Sequence, residues 1–240
     1  MSAHPRILLF DLDDTLVGTR RFRLKARFVA GYLRAMKRRG YKPYDAMEFF
    51  FRMENALTRP DPAKTNAFRL YELILDQLNL EDMKGAKDWV TELVNEIFAG
   101  LKDAFFIHHE ALKFLDWAEK QGRYRFVLAT NPLWPLPVVH QRMEWGRLDP
   151  KRFDVITHAE IMHSCKPHVS FFEELVRATR IPPQECLMIG DSLRKDGPAM
   201  KAGIPVFLLG PKSVPSFDAK RGLYRGSHAA LKQFLERRSK

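Results

Sequence analysis

Residues 7–15, with the sequence ILLFDLDDT, decide the fold of this chain. The first four residues, Ile7–Phe10, are all apolar, which is typical of a short strand that is buried on both faces of a parallel sheet. Asp11 and Asp13 follow directly, where that strand ends. Because open parallel sheets bind ligands beyond the carboxyl ends of their strands, this stretch predicts an α/β fold with a polar site at the tip of the first strand.

Three later apolar runs have the same character. They occupy residues 126–129, 186–189 and 205–209. Helical patterns such as residues 110–120 and Val169–Thr179 separate most of the runs. Strands that alternate with helices predict a Rossmann-like parallel sheet core.

The long interval 18–107 interrupts this alternation. It shows helical periodicity and no convincing strand, with breaks at residues 40–43 and 59–62. We therefore expect an α/β core domain formed by residues 1–17 and 108–240, with an inserted α-helical cap domain formed by residues 18–107.

The composition limits the class of protein. A hydrophobic content of 45% in 240 residues is ordinary for a globular chain with a sizeable core. The two cysteines, Cys165 and Cys186, are too few for a disulfide framework and suit a reducing compartment. No apolar run approaches the roughly 20 residues that a membrane span needs. These observations predict a cytoplasmic protein with no membrane partner.

The net charge of +11 is concentrated in one segment. Residues 20–42 contain ten Lys or Arg and no Asp or Glu, and a helix predicted at about residues 22–39 would place most of them opposite an apolar face. The simplest interpretation is a solvated outer face of the cap. The alternatives are steering of an anionic substrate and binding of nucleic acid or another polyanion. A nucleic-acid partner is the weaker alternative, because no recognition motif or zinc-finger spacing accompanies the segment.

Polar residues also follow the second and third apolar runs. Thr130 and Asn131 follow one, and Asp191 follows the other, with Asp196 five residues later. Several carboxylates at one edge of a sheet would repel each other unless a cation neutralised them, and carboxylate oxygens suit Mg²⁺. The predicted metal ligands are Asp11, Asp13, Asp191 and Asp196.

Four motifs occur in a fixed order along the chain. They are Asp11-Leu12-Asp13-Asp14-Thr15, Thr130-Asn131, Lys166-Pro167, and Gly190-Asp191-Ser192 followed by Asp196. Together they resemble the motifs of the haloacid dehalogenase superfamily, whose members are largely phosphatases that work through a phosphoaspartate. The resemblance covers about residues 6–235, and it implies that the inserted helices form a cap over the active site.

The resemblance also implies a role for each motif residue. Asp11 would be the nucleophile, and Asp13 would be the general acid that protonates the leaving group and then activates water. Asp13 would also give its backbone carbonyl to Mg²⁺. Thr130 and the backbone N–H of Asn131 would bind phosphoryl oxygens, while Lys166 would offset the charge of both Asp11 and the phosphate.

Several functions remain open within this resemblance. Dehalogenases and phosphonate hydrolases of the superfamily generally lack an acid at the position of Asp13, so we expect hydrolysis of a small phosphorylated metabolite. A phosphotransferase or mutase would use the same residues. A polyanion-binding protein that uses the basic cap helix is the alternative from another class. The segment 132–137, with Trp134, either shapes the leaving-group pocket or is a rigid packed loop. The oligomeric state is not predicted.

Overall fold

The computed structural model describes residues 5–210, 216–218 and 222–237. In this part of the chain the strands are β1 (Ile7–Phe10), β2 (Val17–Thr19), β3 (Phe105–Ile107), β4 (Arg125–Leu128), β5 (Val155–Ile156), β6 (Cys186–Gly190), β7 (Val206–Leu209), β8 (Ser216–Asp218) and β9 (Leu223–Gly226). The helices are α1 (Arg21–Arg38), α2 (Pro43–Thr58), α3 (Asn66–Leu78), α4 (Met83–Phe98), α5 (His109–Lys120), α6 (Leu136–Trp145), α7 (Val169–Thr179), α8 (Leu193–Asp196) and α9 (His228–Arg237).

The described residues form a seven-stranded sheet in the order β5-β4-β1-β6-β7-β9-β8. All neighbouring strands are parallel except β8, which runs antiparallel to β9 at the edge. The predicted Rossmann-like α/β core is confirmed. Strand β1 is fully buried and lies between β4 and β6, with Leu9 opposite Val127 on one side and Met188 on the other. The three strands that precede the predicted site residues are therefore neighbours.

Helices α1–α4 occupy the interval between β2 and β3, and local sequence signals set their ends. Helix α2 begins at Pro43, a favourable first helical residue because its missing N–H needs no partner there. The Thr65 side chain accepts the N–H of Phe68 at the start of α3, and Asp82 accepts the N–H of Gly85 at the start of α4. Each of these helices buries one apolar face, as the helical periodicity predicted.

One expectation about this interval is wrong. The sequence shows no convincing strand between residues 18 and 107, yet Phe105–Ile107 forms β3 and pairs antiparallel with β2. Strands of three residues are too short for their alternation to stand out from a helical background. The ribbon carries the chain into the helices and back. The boundaries of the two domains stay a prediction, and residues 1–4, 211–215, 219–221 and 238–240 of the predicted core domain lie outside the described part.

Among the described residues no helix is both long and apolar enough to cross a membrane. Both cysteines are free and buried. The cytoplasmic location stays a prediction.

Candidate active site

Asp11 stands directly beyond the carboxyl end of β1. Its backbone N–H donates to the carbonyl of Ile189 in β6 at 2.9 Å, which extends the β1–β6 pairing by one residue. Only 8% of Asp11 is exposed. Burial raises the pKa of its carboxyl to about 6, although the neighbouring Lys166 acts to lower it. The carboxylate is therefore held in a place where it needs positive charge beside it.

Lys166 supplies that positive charge. Its buried ammonium donates to Oδ1 of Asp11 at 3.0 Å and to Oδ1 of Asp196 at 2.6 Å. Burial alone would lower the pKa of Lys166, but the two carboxylates outweigh burial and raise it above the ordinary value. The backbone N–H of Lys166 donates to Oδ1 of Asn131 at 3.0 Å, so the loop after β4 fixes the segment that carries the lysine.

The two carboxylates that Lys166 holds lie close to a third, that of Asp191. One oxygen each from Asp11, Asp191 and Asp196 lies within 4.8 Å of the others. Burial raises the pKa of Asp191, so the protein itself makes this arrangement of charges unfavourable. An oxygen-only set of this kind can hold a hard divalent cation.

Gly190 makes the close approach of Asp196 possible. A Cβ atom placed on Gly190 would lie 2.1 Å from Oδ2 of Asp196. A side chain at residue 190 would therefore displace the carboxylate that Lys166 holds. The same carboxylate accepts the backbone N–H of Ser192 at 3.2 Å, which ties it to the loop after β6.

The carboxylate of Asp13 has a partner that the sequence did not predict. Arg142, a buried residue of α6, donates to Oδ2 of Asp13. The other oxygen, Oδ1, is buried and has no hydrogen-bond partner in the described part of the chain. The Asp13 side chain is thus held at one oxygen and unsatisfied at the other. A single Arg in the middle of a helix gives no sequence signal for this contact.

Arg21 is the second residue that the sequence did not identify. It is the first residue of α1, and its guanidinium bridges Asp14 and Asp191. Asp14 occupies the left-handed region, with φ of 58°, and accepts both the N–H and the hydroxyl of Thr19 at 2.8 Å. Asp14 therefore stabilises the turn that leads into the helices. Arg21 links the first cap helix to the acidic cluster.

Five of the predicted site residues border one pocket of about 330 Å³. Asp11, Asp13, Thr130, Asn131 and Asp191 all line it. Thr130 is buried, and its backbone carbonyl accepts the hydroxyl of Thr157 at 2.6 Å. The structure thus gathers every predicted site residue at one edge of the sheet, with Lys166 and Asp196 beneath the pocket.

The model of one protein family, haloacid dehalogenase-like hydrolase, matches residues 5–203 of the chain. This match spans most of the sequence and includes all four motifs. The chain belongs to this family. The predicted resemblance is confirmed, and the protein is a hydrolase of the haloacid dehalogenase-like class. No curated protein sequence matches the chain.

Solved structures of this family share the fold of the whole chain. A HAD phosphatase from Thermococcus onnurineus is 17% identical, with 96% of this chain and 97% of that chain covered and a TM-score of 0.57. A 2-haloacid dehalogenase from Pseudomonas syringae is 20% identical, with 97% and 99% covered and a TM-score of 0.64. A HAD family hydrolase from Deinococcus radiodurans, solved with phosphate and sodium, is 18% identical, with 99% and 97% covered and a TM-score of 0.56. At these identities the likeness establishes the fold and leaves the reaction open.

In this hydrolase the basic face of α1 contacts acids of its own fold. Asp103 and Glu96 each pair with two arginines of this basic segment. The pairs are Arg23–Asp103, Arg27–Asp103, Arg38–Glu96 and Arg39–Glu96. Exposed ion pairs of this kind contribute only about 0–1 kcal/mol each. The contacts favour a solvated, ion-paired surface, and binding of a polyanion stays a prediction.

Proposed function

We propose that this protein is a Mg²⁺-dependent phosphatase that hydrolyses a phosphate monoester through a phosphoaspartate on Asp11. The observation that carries the proposal is the position of Lys166, whose ammonium holds Asp11 at 3.0 Å and Asp196 at 2.6 Å. A buried cation against a buried carboxylate keeps that carboxylate ionised and places a positive charge where a phosphate dianion would bind.

The reaction follows from two acids with different surroundings. An oxygen of Asp11 attacks phosphorus, the bond from phosphorus to the ester oxygen breaks, and Asp13 gives its proton to the leaving alkoxide. Water then attacks phosphorus of the phosphoaspartate, Asp13 accepts its proton, and inorganic phosphate and the Asp11 carboxylate are released. Arg142 orients Asp13 for both proton transfers.

The other site residues would bind the phosphoryl group and hold the cation. Thr130 and Asn131 line the pocket beside Asp11 and would donate hydrogen bonds to phosphoryl oxygens. The crowded carboxylates of Asp11, Asp191 and Asp196 fit a hard divalent cation, and the backbone carbonyl of Asp13 is a further ligand in the proposal. When bound, Mg²⁺ would supply positive charge that stabilises the charge developing on the transferred phosphoryl group.

The proposal is tested with p-nitrophenyl phosphate and Mg²⁺. We expect hydrolysis by the wild type, loss of hydrolysis in Asp11→Asn, and loss in the wild type when EDTA removes the metal. Equal rates for the wild type and Asp11→Asn would refute the assigned nucleophile. In Asp13→Asn, slow dephosphorylation should let the phosphorylated protein accumulate, and mass spectrometry of a peptide containing Asp11 would detect it.

The same assays separate the alternatives. A phosphotransferase or mutase would pass the phosphoryl group to an added alcohol or sugar and release little inorganic phosphate. A dehalogenase would release chloride from 2-chloropropionate and leave phosphate esters intact.

A polyanion-binding protein would bind nucleic acid at low salt. Reversal of charge in Arg34→Glu would weaken that binding, and the phosphatase assay would not respond to this exposed residue.

A further inference from the structure

A second cavity lies beside the catalytic pocket, between the cap helices and the loop after β4. It measures about 410 Å³, which is within the range of small-molecule sites. All of α1–α4 contribute apolar side chains to its wall, among them Phe28, Phe50, Leu70 and Val94. Trp134, from the loop after β4, closes it on the side of the core.

This apolar cavity is continuous with the catalytic pocket. Asp13, Arg142, Trp134 and Leu24 border both spaces. Asp13, the proposed acid for the leaving group, therefore stands at the junction. A phosphate bound beside Asp11 would direct its ester oxygen towards Asp13 and the rest of its leaving group into the apolar cavity.

The cavity wall is mostly apolar and offers a sugar few polar partners. Asp13 and Arg142 pair with each other at the junction, and the hydroxyl of Tyr32 donates to the carbonyl of Ala46 at 2.6 Å. The other polar side chains of the wall are Lys25 and Glu54, which are exposed residues of α1 and α2, and Tyr71, a half-buried residue of α3. Lys25 also borders the catalytic pocket. A polyhydroxylated leaving group would lose hydrogen bonds to water in this cavity and contact mostly carbon atoms. Its binding would therefore be at least severalfold weaker than that of an apolar leaving group.

We propose that the apolar cavity binds the leaving group and that the substrate is a phosphate monoester of an apolar alcohol. The inference rests on the proposed phosphatase function and narrows its substrate class. Burial of each further methylene would strengthen binding until the cavity is filled. The segment around Trp134, for which the sequence left two interpretations, forms part of the leaving-group pocket in this proposal.

The first test compares n-alkyl phosphates from ethyl to decyl with glucose 6-phosphate. We expect kcat/KM to rise by up to about fourfold per methylene and then to level off, because each buried methylene contributes that much to binding. Glucose 6-phosphate should be a poorer substrate than hexyl phosphate. A kcat/KM that does not depend on chain length, or a preference for the sugar phosphate, would overturn the proposal.

The second test reduces the cavity without touching the catalytic pocket. Val94 is buried in α4 and lines the cavity, while Thr91, on the exposed side of the same helix, does not. Val94→Phe should lower kcat/KM for decyl phosphate at least about tenfold more than kcat/KM for ethyl phosphate. Thr91→Phe should change neither. Equal losses for both substrates in Val94→Phe would mean that the cavity does not hold the leaving group.

The third test separates this inference from the phosphatase proposal. Alkylphosphonates have no phosphate ester bond, so calorimetry can follow their binding to the wild-type protein without turnover. Decylphosphonate should bind at least about tenfold more tightly than ethylphosphonate, and Val94→Phe should abolish the difference. If phosphonates bind in this way but no phosphate ester is hydrolysed, the phosphatase proposal fails and the apolar site stands. If esters are hydrolysed but chain length has no effect on binding, the apolar site fails.

Discussion

Arg142 donates a hydrogen bond to the Asp13 carboxylate from 129 positions further along the chain. The arginine is buried, with its side chain 4% exposed, whereas the Asp13 side chain is 41% exposed towards the pockets. The contact therefore fixes Oδ2 of the proposed acid, in a residue that borders both the catalytic pocket and the apolar cavity. We infer that Arg142 is a positioning residue for Asp13.

Replacement of Arg142 by Met should lower kcat by about 10- to 100-fold, because Asp13 would lose the group that orients it for proton transfer. KM and the affinity for Mg²⁺ should change little. Steady-state kinetics with p-nitrophenyl phosphate, and a Mg²⁺ titration by calorimetry, measure these quantities.

Arg125 provides the control for this substitution. It is the first residue of β4, at the end of the strand away from the site, and it pairs with Asp154 at 2.6 Å on the surface. Arg125→Met should therefore leave kcat unchanged. Arg142→Lys should recover part of the activity, since it keeps the charge but not the fork of donors. An unaltered kcat in Arg142→Met would contradict the positioning role.

A second prediction concerns Gly190. Gly190→Ala forces a Cβ into the place of the Asp196 carboxylate, which must move away from Lys166. We expect at least about a 100-fold loss of phosphatase activity, weaker Mg²⁺ binding and about 1–3 kcal/mol of destabilisation. Gly210→Ala is the matched control, because a Cβ at residue 210 meets no atom within 4 Å among the described residues. Similar activities of the two variants would refute the role assigned to Gly190.

The sequence predicted the core well, because two signals agreed. Short apolar runs located β1, β4, β6 and β7 to within about one residue. The polar residues after β1, β4 and β6 indicated a candidate site, and the roles of its residues stay predictions. Parallel strands end at one edge, so residues far apart in sequence were expected together before any contact was known. Asp11 and Asp191 are such a pair. Lys166 follows no predicted strand and was expected at the site only from the family resemblance.

The contacts of Arg21 and Arg142 could not be predicted in this way. Each depends on how a helix packs against the strand tips, and an arginine on a helix is ordinarily a solvated residue. Arg21 in particular belongs to a run of basic residues that looked like one uniform exposed face. The short strands β2, β3 and β5 were not predicted for another reason, because two or three residues are too few to show an alternation of apolar and polar side chains.

A third prediction concerns Arg21 and the metal. Its guanidinium binds Asp191, so it neutralises one of the carboxylates proposed for Mg²⁺. Arg21→Gln should therefore increase the affinity for Mg²⁺, by about threefold, because the arginine is largely exposed and its charge is screened. Arg23→Gln removes a neighbouring charge that pairs with Asp103 instead and should have no effect. Calorimetric titration without substrate measures both, and weaker Mg²⁺ binding in Arg21→Gln would contradict the prediction.

The last prediction concerns His228, at the start of α9. Its imidazole is buried, with its ring centroid 4.8 Å from that of His108, and its Nε2 has no hydrogen-bond partner within the described ranges. Burial, with a smaller contribution from His108, lowers the pKa of His228 from 6.5 to about 4. Between these two pH values the unfolded chain binds a proton at this residue and the folded protein does not. The folded protein should therefore lose stability as the pH falls from 6.5 to about 4, by about 3 kcal/mol from this group, and regain none of it below.

Urea unfolding at pH 7 and pH 4.5 should show a clearly smaller loss for His228→Phe than for the wild type, whereas His109→Gln, at an exposed position, should behave like the wild type. If His228→Phe and the wild type lose the same free energy of unfolding, the imidazole is protonated in the folded state and the argument from burial is wrong.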